Sequence, residues 1–316
     1  MEDDVDRRAG PANKGAAVKG FLVLSRLPFL SPGVAALVTG IVIALSEGYD
    51  PSAGLVWMSI LGLVLIMLAT YYFNEYFDYE GDIINKTFIK FSGGSRALPD
   101  NMVSRPVARI AGYSTVAALF VIAIIYMLFY FEDYPLLLPL ALFGAFCGVF
   151  YSHPPFQWAY QGIGEIVIGG CYGILAVVSG YYLASGVLNL TMLVVGLPAS
   201  LSIFLVIVAN EFPDYEADKA VNKRNLIVRL GSARGSAMYA VVMLLVYPAM
   251  LATIAVGISP WIAVAGSPVL ALTIAATAMT LKGGYDQPSS QMKISGITLL
   301  ANLLSSLIFI PVVLIW

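Results

Sequence analysis

The chain has 316 residues, of which 59% are hydrophobic and 11% are charged, and its formal net charge is −2. Its mean hydropathy is +0.84. Soluble globular domains carry about 25% charged residues, so this composition excludes an ordinary soluble enzyme and predicts an integral membrane protein. The small net charge and the lack of a long basic run argue against nucleic acid as a partner.

The apolar runs predict nine membrane-spanning helices, because a helix needs about 20 apolar residues to cross the hydrocarbon core. We expect one all-α membrane domain over residues 1–316, with its helices around a central cavity. Residues 1–19 form a polar tail in which no signal peptide is expected. In chain order the predicted spans are 32–47, 54–76, 107–131, 134–152, 163–185, 189–211, 236–257, 260–281 and 292–315.

The basic residues indicate how these spans are oriented. With the amino terminus in the cytoplasm, all 17 Lys and Arg residues fall on the inner side, as the positive-inside rule requires. The pattern predicts a multi-pass protein of the cell membrane with its carboxyl terminus outside. Two inner connections, about 83–106 and 213–235, are long enough to suggest a function. The outer turns carry only acidic charges, namely Glu47, Asp50, Glu132 and Asp133.

An acidic segment occurs twice, each time at the end of an apolar span. Residues 74–82 read NEYFDYEGD and residues 210–218 read NEFPDYEAD, so six of nine positions are identical. The two copies lie four predicted spans apart and therefore face the same side of the membrane. We expect two pseudo-symmetric halves, about 20–152 and 153–316, that share one site at the cytoplasmic ends of their helices.

Three residues of each copy share one helix face, because positions i, i+4 and i+8 form a stripe. Carboxylates at membrane depth are costly and repel one another unless cations lie between them. Mg²⁺ prefers carboxylates together with phosphate oxygens. We therefore predict a Mg²⁺ and diphosphate site with the catalytic carboxylates Asp78, Asp82, Asp214 and Asp218, which also bind the metal together with Asn74 and Asn210.

Basic residues that follow each copy are candidates for direct diphosphate contacts. They are Lys86 and Arg96 in the first connection and Lys223 and Arg224 in the second. The glutamates between the aspartates point to other faces of the helix, where they either support the site or are solvated. These glutamates are Glu75, Glu80, Glu211 and Glu216.

The NxxxDxxxD segment, the later DxxxD segment and the nine predicted spans resemble the UbiA superfamily of intramembrane prenyltransferases. This resemblance implies that the two motifs hold a prenyl diphosphate through Mg²⁺ and that the prenyl group passes to an acceptor, often an aromatic ring. Three further segments are most similar to the 1,4-dihydroxy-2-naphthoate branch, which makes menaquinone precursors. They are SGGSRALP at 92–99, YSHPPFQWAYQGIGE at 151–165 and DKAVNKRNLIVRLG at 218–231.

Five residues are candidates for contacts with the acceptor or the prenyl chain. The Tyr151-Ser152 pair resembles a pair near the active cavity of the wider family, and Tyr72 and Tyr76 could stabilise an allylic cation through their ring faces. Arg26 is either an acceptor contact or an anchor at the membrane interface. Family members that act on 4-hydroxybenzoate often carry Arg-x-x-Lys here, whereas this chain has no lysine three residues after Arg26. The acceptor therefore stays open between 1,4-dihydroxy-2-naphthoate, 4-hydroxybenzoate and geranylgeranylglyceryl phosphate.

Two residues outside the motifs, Glu165 and His153, each have two possible roles. Glu165, at the start of the fifth predicted span, is either a functional acid or a carboxylate that the helix dipole stabilises. His153 is expected to be a turn residue at the interface rather than a substrate contact.

Two other functions are compatible with the same pattern. Ion-coupled secondary transporters also have internal repeats and intramembrane carboxylates, although their coupling residues lie near the bilayer midplane rather than at span ends. A protein that binds lipid diphosphates without catalysis would keep the same metal site. For the transferase we expect a prenyl diphosphate, a lipid-soluble or aromatic acceptor and membrane lipid as partners, and no obligate protein partner.

Overall fold

The computed structural model describes the backbone of residues 14–315 and the side chains of residues 15–315, so most of the polar tail, including Arg7 and Arg8, lies outside the described residues. The described chain is helical and contains no β-strand. Helices satisfy their own backbone hydrogen bonds, which lipid cannot do. The helices are α1 Lys14–Leu24, α2 Ser31–Ser46, α3 Ala53–Ile84, α4 Arg105–Phe129, α5 Leu137–Phe150, α6 Gly164–Gly169, α7 Ala176–Ser185, α8 Met192–Ala220, α9 Leu226–Leu230, α10 Ser232–Ala252, α11 Ile262–Ala265, α12 Ser267–Leu281, α13 Pro288–Leu307 and α14 Phe309–Ile315.

Seven helical stretches among the described residues are long and apolar enough to cross a membrane, so the chain is a multi-pass membrane protein. Two of the nine predicted spans are shorter than expected. Span 134–152 becomes α5, with 14 residues, and span 260–281 becomes α12, with 15 residues, whereas a full crossing takes about 20. A turn at Pro135 delays the start of α5, and a turn at Gly266 separates α11 from α12. Nine full-length spans are therefore not confirmed. The seven stretches are Gly15–Ser46, Ala53–Ile84, Arg105–Phe129, Gly164–Ser185, Met192–Ala220, Ser232–Val256 and Pro288–Ile315.

The helical stretch at the amino-terminal end is interrupted at Arg26. This residue has a left-handed backbone with φ of 47°, and a 3₁₀ turn at Leu27–Leu30 follows it. Pro32 then lies in the first turn of α2, where its missing N–H has no helical partner to lose. The break separates α1 from α2 and gives the Arg26 side chain access to the interior of the bundle.

Two glycines bring α2 and α7 into close contact. A Cβ atom at Gly40 would lie 2.1 Å from the carbonyl oxygen of Val177, and one at Gly180 would lie 2.0 Å from that of Leu37. Small residues allow such close approach of helix backbones in membranes. Elsewhere α3 packs on α4 and α5, and α8 packs on α10 and α13. The two helices that carry the acidic segments, α3 and α8, also contact each other.

Candidate active site between the two acidic motifs

The first motif, residues 74–82, and the second motif, residues 210–218, meet at one end of the bundle. A Cβ atom at Gly81 of α3 would lie 4.0 Å from Asp218 Oδ1 of α8. The ammonium of Lys223 bridges the two helices, at 2.7 Å from Asp78 Oδ2 and 3.6 Å from Asp218 Oδ1. The structure therefore brings together the carboxylates that the repeat singled out.

Asp78 accepts hydrogen bonds from three directions. Asn74 Nδ2, one turn earlier on the same helix, and Lys223 Nζ each donate to Oδ2 at 2.7 Å. The Tyr160 hydroxyl donates to Oδ1 at 2.8 Å. Both carboxylate oxygens are thus oriented by the protein. Tyr160 was not identified from the sequence, because its contact with Asp78 arises from the fold of a distant loop.

The loop after α3 reaches across to the second motif. Asn85 Nδ2 donates to Asp214 Oδ1 at 2.7 Å, and Gly93 N donates to Asp214 Oδ2 at 3.0 Å. Asn225, in the loop after α8, donates from Nδ2 to Asp218 Oδ2 at 2.7 Å. Amide groups of both loops therefore hold the second pair of aspartates.

Gly94 allows this loop to pass over the first motif. Its φ is +67°, and a Cβ atom there would lie 2.3 Å from Asp82 Oδ2. The Asp82 side chain is buried beneath it. Only a residue without a side chain accommodates both the left-handed backbone and this close approach.

Two glutamates of the motifs are buried and two are exposed. Glu75 accepts hydrogen bonds from Ser95 N at 2.6 Å and Ser95 Oγ at 2.7 Å. Glu211 accepts one from Ile227 N at 3.3 Å. Glu80 and Glu216 are exposed at the surface. The first glutamate of each motif therefore supports a following segment, whereas the second is exposed. Glu80 forms an ion pair with Arg105 at 3.2 Å on this exposed surface.

Glu165 belongs to the same support, because it is buried and accepts a hydrogen bond from Leu226 N at 2.8 Å. Ile227, the residue after Leu226, donates its N–H to Glu211. The carboxylate at the start of α6 thus holds the loop after α8 in place.

The four basic candidates are in different positions. Lys223 lies between the motifs, with a side chain that is 16% exposed. Arg96 donates from Nη1 to the carbonyl oxygen of Asp82 at 2.5 Å and its guanidinium covers the ring of Phe88 at 4.2 Å. Lys86 and Arg224 are exposed on their loops. Their contact with a diphosphate stays a prediction.

Burial and charge act in opposite directions on Lys223. Burial alone would lower its pKa, but the carboxylates of Asp218 and Asp78 outweigh burial and raise the pKa well above 10.5. Burial raises the pKa of the Tyr160 hydroxyl, and the nearby Asp78 carboxylate raises it further. The two carboxylates thus favour the ammonium form of Lys223, and the Tyr160 hydroxyl donates a hydrogen bond to Asp78.

A cavity of about 90 Å³ lies next to the motifs on the membrane side. The first residue of each motif, Asn74 or Asn210, lines it together with Arg26. Asn210 Oδ1 is buried without a hydrogen-bond partner. Tyr151 also lines the cavity, and Ser152 accepts a hydrogen bond from Asn74 at 3.2 Å.

The tyrosines of α3 differ from the sequence expectation. Tyr72 and Tyr76 face away from this cavity, because the Tyr72 hydroxyl bonds Ser25 Oγ at 2.8 Å and the Tyr76 ring lies under Arg105. Tyr71 lines the cavity instead, on the helix face that also carries Asn74. Helical periodicity predicts this position for Tyr71, because residues three apart share a helix face and Asn74 is three residues later.

A larger apolar cavity of about 160 Å³ adjoins the first one. The two share Thr70, Ile168 and Tyr172, so Tyr172 stands where they join. From Thr70 the larger cavity extends along α3 to Met58, a distance of about 18 Å at 1.5 Å per residue. Its walls include both cysteines, Cys147 and Cys171, which are free thiols.

The donor set fits Mg²⁺. Among the described residues no group of three acidic, His or Cys side chains is close enough to hold a metal alone. Mg²⁺ does not require one, because it is usually bound by one or two carboxylates together with substrate phosphates. Asn210 Oδ1, on the same helix as Asp214 and four residues before it, is buried without a hydrogen-bond partner and is a further candidate oxygen ligand.

Comparison with known proteins gives a family match. The model of the UbiA prenyltransferase family matches residues 34–309. A 2-carboxy-1,4-naphthoquinone phytyltransferase of Synechocystis is 33% identical over 91 residues, which cover 29% of this chain and 30% of that protein. A 1,4-dihydroxy-2-naphthoate octaprenyltransferase of Bacillus subtilis is 23% identical over 199 residues, which cover 62% of each chain. The match thus spans less than two thirds of either relative.

Solved structures share the fold over most of their length. A structure described as a digeranylgeranylglyceryl phosphate synthase has a TM-score of 0.65 and 20% identity, and the match covers 94% of this chain and 98% of that one. A UbiA homologue from Archaeoglobus fulgidus, bound to GPP and Mg²⁺, has a TM-score of 0.61 and 15% identity, with 92% and 99% coverage. At such identities the likeness shows the fold.

Proposed function

The chain belongs to the UbiA prenyltransferase family, and from this premise we propose that it transfers a prenyl group from a prenyl diphosphate to an aromatic acceptor with Mg²⁺ as cofactor. Family membership disfavours the transporter alternative. The observation that carries the proposal is the meeting of the two acidic motifs across Lys223, next to two adjoining cavities.

The proposed reaction breaks the bond between the prenyl carbon and the diphosphate oxygen, and the diphosphate leaves with the electron pair of that bond. A ring carbon of the acceptor then bonds to the prenyl carbon and loses the group that it carried, which is a proton or, where a carboxylate is replaced, CO₂. Negative charge develops on the leaving diphosphate. Mg²⁺ held by Asp78, Asp82, Asp214, Asp218, Asn74 and Asn210 would stabilise this charge. Lys223 adds a positive charge at the same end of the bundle. Lys86, Arg96 and Arg224 are further candidates for diphosphate contacts from the loops.

The two cavities are expected to bind different parts of the substrates, with the prenyl chain in the larger one and the acceptor in the smaller one. The larger one is lined by apolar side chains and suits the prenyl chain. Tyr172, at its junction with the smaller one, and Tyr71 nearby present aromatic rings, which stabilise a developing allylic cation. The prenyl carbon is therefore expected near Tyr172, with the diphosphate directed toward the motifs.

Arg26 supports an acceptor that carries a carboxylate. Its guanidinium lines the smaller cavity and approaches Glu75 Oε1 at 3.7 Å, and a guanidinium pairs well with a carboxylate. A 1,4-dihydroxy-2-naphthoate-like acceptor agrees with this and with the names of the relatives. 4-Hydroxybenzoate and geranylgeranylglyceryl phosphate are the alternatives to be tested beside it. Tyr151, which lines the smaller cavity, and its neighbour Ser152 remain the candidates for a contact with either substrate.

We further propose that the site faces the cytoplasm, with the amino terminus on the same side. The long loop after α3 (85–104) and the short one after α8 (221–225) contact the motifs and carry five basic residues, and basic loops stay inside the cell. The second connection is shorter than the 213–235 expected from the sequence, because α8 continues to Ala220. The division into two pseudo-repeat halves near residue 152 is part of the same proposal.

The experiment is a transfer assay with purified protein in detergent, Mg²⁺ and a radiolabelled prenyl diphosphate. The three acceptors are offered in parallel, with and without a chelator. Label that moves to 1,4-dihydroxy-2-naphthoate and stays on the diphosphate when the metal is chelated supports the proposal. Transfer to another acceptor corrects the acceptor, and diphosphate binding without transfer to any acceptor contradicts the enzymatic function.

A further inference from the structure

Lys223 occupies the position between the motifs that a divalent cation would also favour. Its Nζ lies 2.7 Å from Asp78 Oδ2 and 3.6 Å from Asp218 Oδ1, so one ammonium contacts one carboxylate from each half of the repeat. Asp78 Oδ2 also accepts from Asn74 Nδ2. The lone pairs of this oxygen are therefore already engaged by two protein donors.

The backbone holds Lys223 in this place. Its N–H donates to the carbonyl oxygen of Asp218 at 2.8 Å. Asn222, just before it, has a left-handed φ of 58°, which turns the chain back toward the motifs after α8 ends. The ammonium also lies 5.6 Å from the centre of the Tyr160 ring. The contact is thus built into the end of α8 rather than made by a freely moving surface lysine.

We propose that Lys223 is an intrinsic counter-ion that competes with the divalent metal for Asp78 and Asp218. An ammonium and a divalent cation cannot share the same carboxylate oxygens, because they repel at this distance and need the same lone pairs. Metal entry displaces the ammonium, and the displaced ammonium is then free to bind the diphosphate. This inference rests on the proposed function, since it assumes a metal and diphosphate site.

Lys219, in the last turn of α8, provides a matched control. It lies four residues before Lys223 in the chain, is exposed, and its ammonium is 5.7 Å from the ring of Tyr215. Removing its charge changes the net charge of the protein by the same amount. It does not remove the contact between the motifs.

The test measures Mn²⁺ binding to the full-length protein without prenyl diphosphate, by the electron paramagnetic resonance signal of free Mn²⁺. We expect Lys223→Met to bind Mn²⁺ about tenfold or more tightly than wild type, since a repelling charge next to the metal is gone. Lys219→Met should stay within about twofold, because an exposed charge is screened. Lys223→Arg, which keeps the charge, should bind no more tightly than wild type.

Unchanged or weaker Mn²⁺ binding by Lys223→Met overturns the counter-ion role, and so does equal tightening by Lys219→Met. Size-exclusion profiles show which variants are folded, and Lys223→Gln replaces Lys223→Met if the latter aggregates. The same wild-type preparation is assayed for prenyl transfer. Transfer without tighter binding by the variant refutes the Lys223 inference alone, whereas no Mn²⁺ binding and no transfer in any protein refutes the proposed function as well.

Discussion

Glu75 and Glu211 occupy the same position in the two acidic motifs, and each accepts a backbone N–H from the loop that follows its own helix. The donors are Ser95 N at 2.6 Å and Ile227 N at 3.3 Å. The repeat therefore contains more than the aspartates of the proposed metal site. It also contains the way in which each half fastens a loop over the site.

Replacing Glu75 should loosen the loop between residues 85 and 104. Glu75→Gln removes the negative charge and replaces one of the two oxygens that accept from Ser95 by an NH₂ group, which should cost about 1–3 kcal/mol of local stability at this buried position. Limited proteolysis of the loop measures this. Glu80→Gln is the control, because Glu80 is 64% exposed on the same helix. Equal cleavage rates for the two variants would show that Glu75 does not fasten the loop.

Removing one aspartate charge should abolish most of the transfer. Asp78→Asn and Asp214→Asn each keep the shape of the side chain but remove a carboxylate from between the helices. A loss of stabilisation of the leaving diphosphate lowers the rate by about 10²–10³-fold. The transfer assay measures the effect, and Glu80→Gln should retain wild-type activity. An Asp78→Asn variant that keeps half of the wild-type rate would contradict a catalytic role for Asp78.

Gly94→Ala should be far more harmful than Gly48→Ala. Both glycines have positive φ, so alanine costs about 1–2 kcal/mol of backbone strain at either position. The Cβ atom at residue 94 would also lie 2.3 Å from Asp82 Oδ2, whereas nothing lies within 4 Å at residue 48. Thermal unfolding in detergent and the transfer assay measure the difference. Similar losses in the two variants would mean that the loop moves aside from Asp82.

Arg26→Gln should weaken acceptor binding selectively. We expect the KM for an acceptor with a carboxylate to rise by about tenfold or more, because a charged hydrogen-bond donor is lost, and the KM for the prenyl diphosphate to stay the same. Arg109→Gln is the control, since Arg109 contacts the Tyr76 hydroxyl at 3.4 Å away from the cavity. A parallel rise of both KM values would indicate that Arg26 supports the fold rather than the acceptor.

A larger side chain on the wall of the apolar cavity should make the protein prefer shorter prenyl diphosphates. Ala123 lines this cavity on α4, while its neighbour Ile124 is 58% exposed toward lipid. Ala123→Leu adds carbon atoms to the wall of the cavity and so reduces the space left for the prenyl chain. Competition between a long and a short prenyl diphosphate should then favour the short one. Ile124→Leu should leave the ratio unchanged, and an unchanged ratio in Ala123→Leu would place the chain elsewhere.

The sequence predicts the paired motifs because their information is local. Asn74 and Asp78 are four residues apart, so the helix alone places them on one face, and their hydrogen bond of 2.7 Å agrees with that. The even number of predicted spans between the two motifs was enough to predict that both lie on the same side of the membrane. The distinction between Tyr71 and Tyr72 was also within reach, since helical phase separates them.

The rest of the site depends on tertiary structure. Tyr160 and Asn85 reach Asp78 and Asp214 from loops 82 and 129 residues away along the chain, and neither loop has a periodic pattern from which to infer its path. The short helices have a similar cause. The apolar runs at 134–152 and 260–281 are long enough to span, but turns within them decide where the helices begin.

The length of the motif helices has a consequence for where the two products leave. α3 and α8 have 32 and 29 residues, about 48 and 44 Å at 1.5 Å per residue, while the hydrocarbon core is about 30 Å thick. Both motifs lie in the last turns, so in a bilayer that covers the preceding apolar turns the surplus length would place them in the headgroup layer. Under the proposed function, the ionic by-product departs into water there, while the prenylated product remains at lipid depth. Hydrophobic mismatch between these helices and the bilayer would then set the height at which the two paths separate.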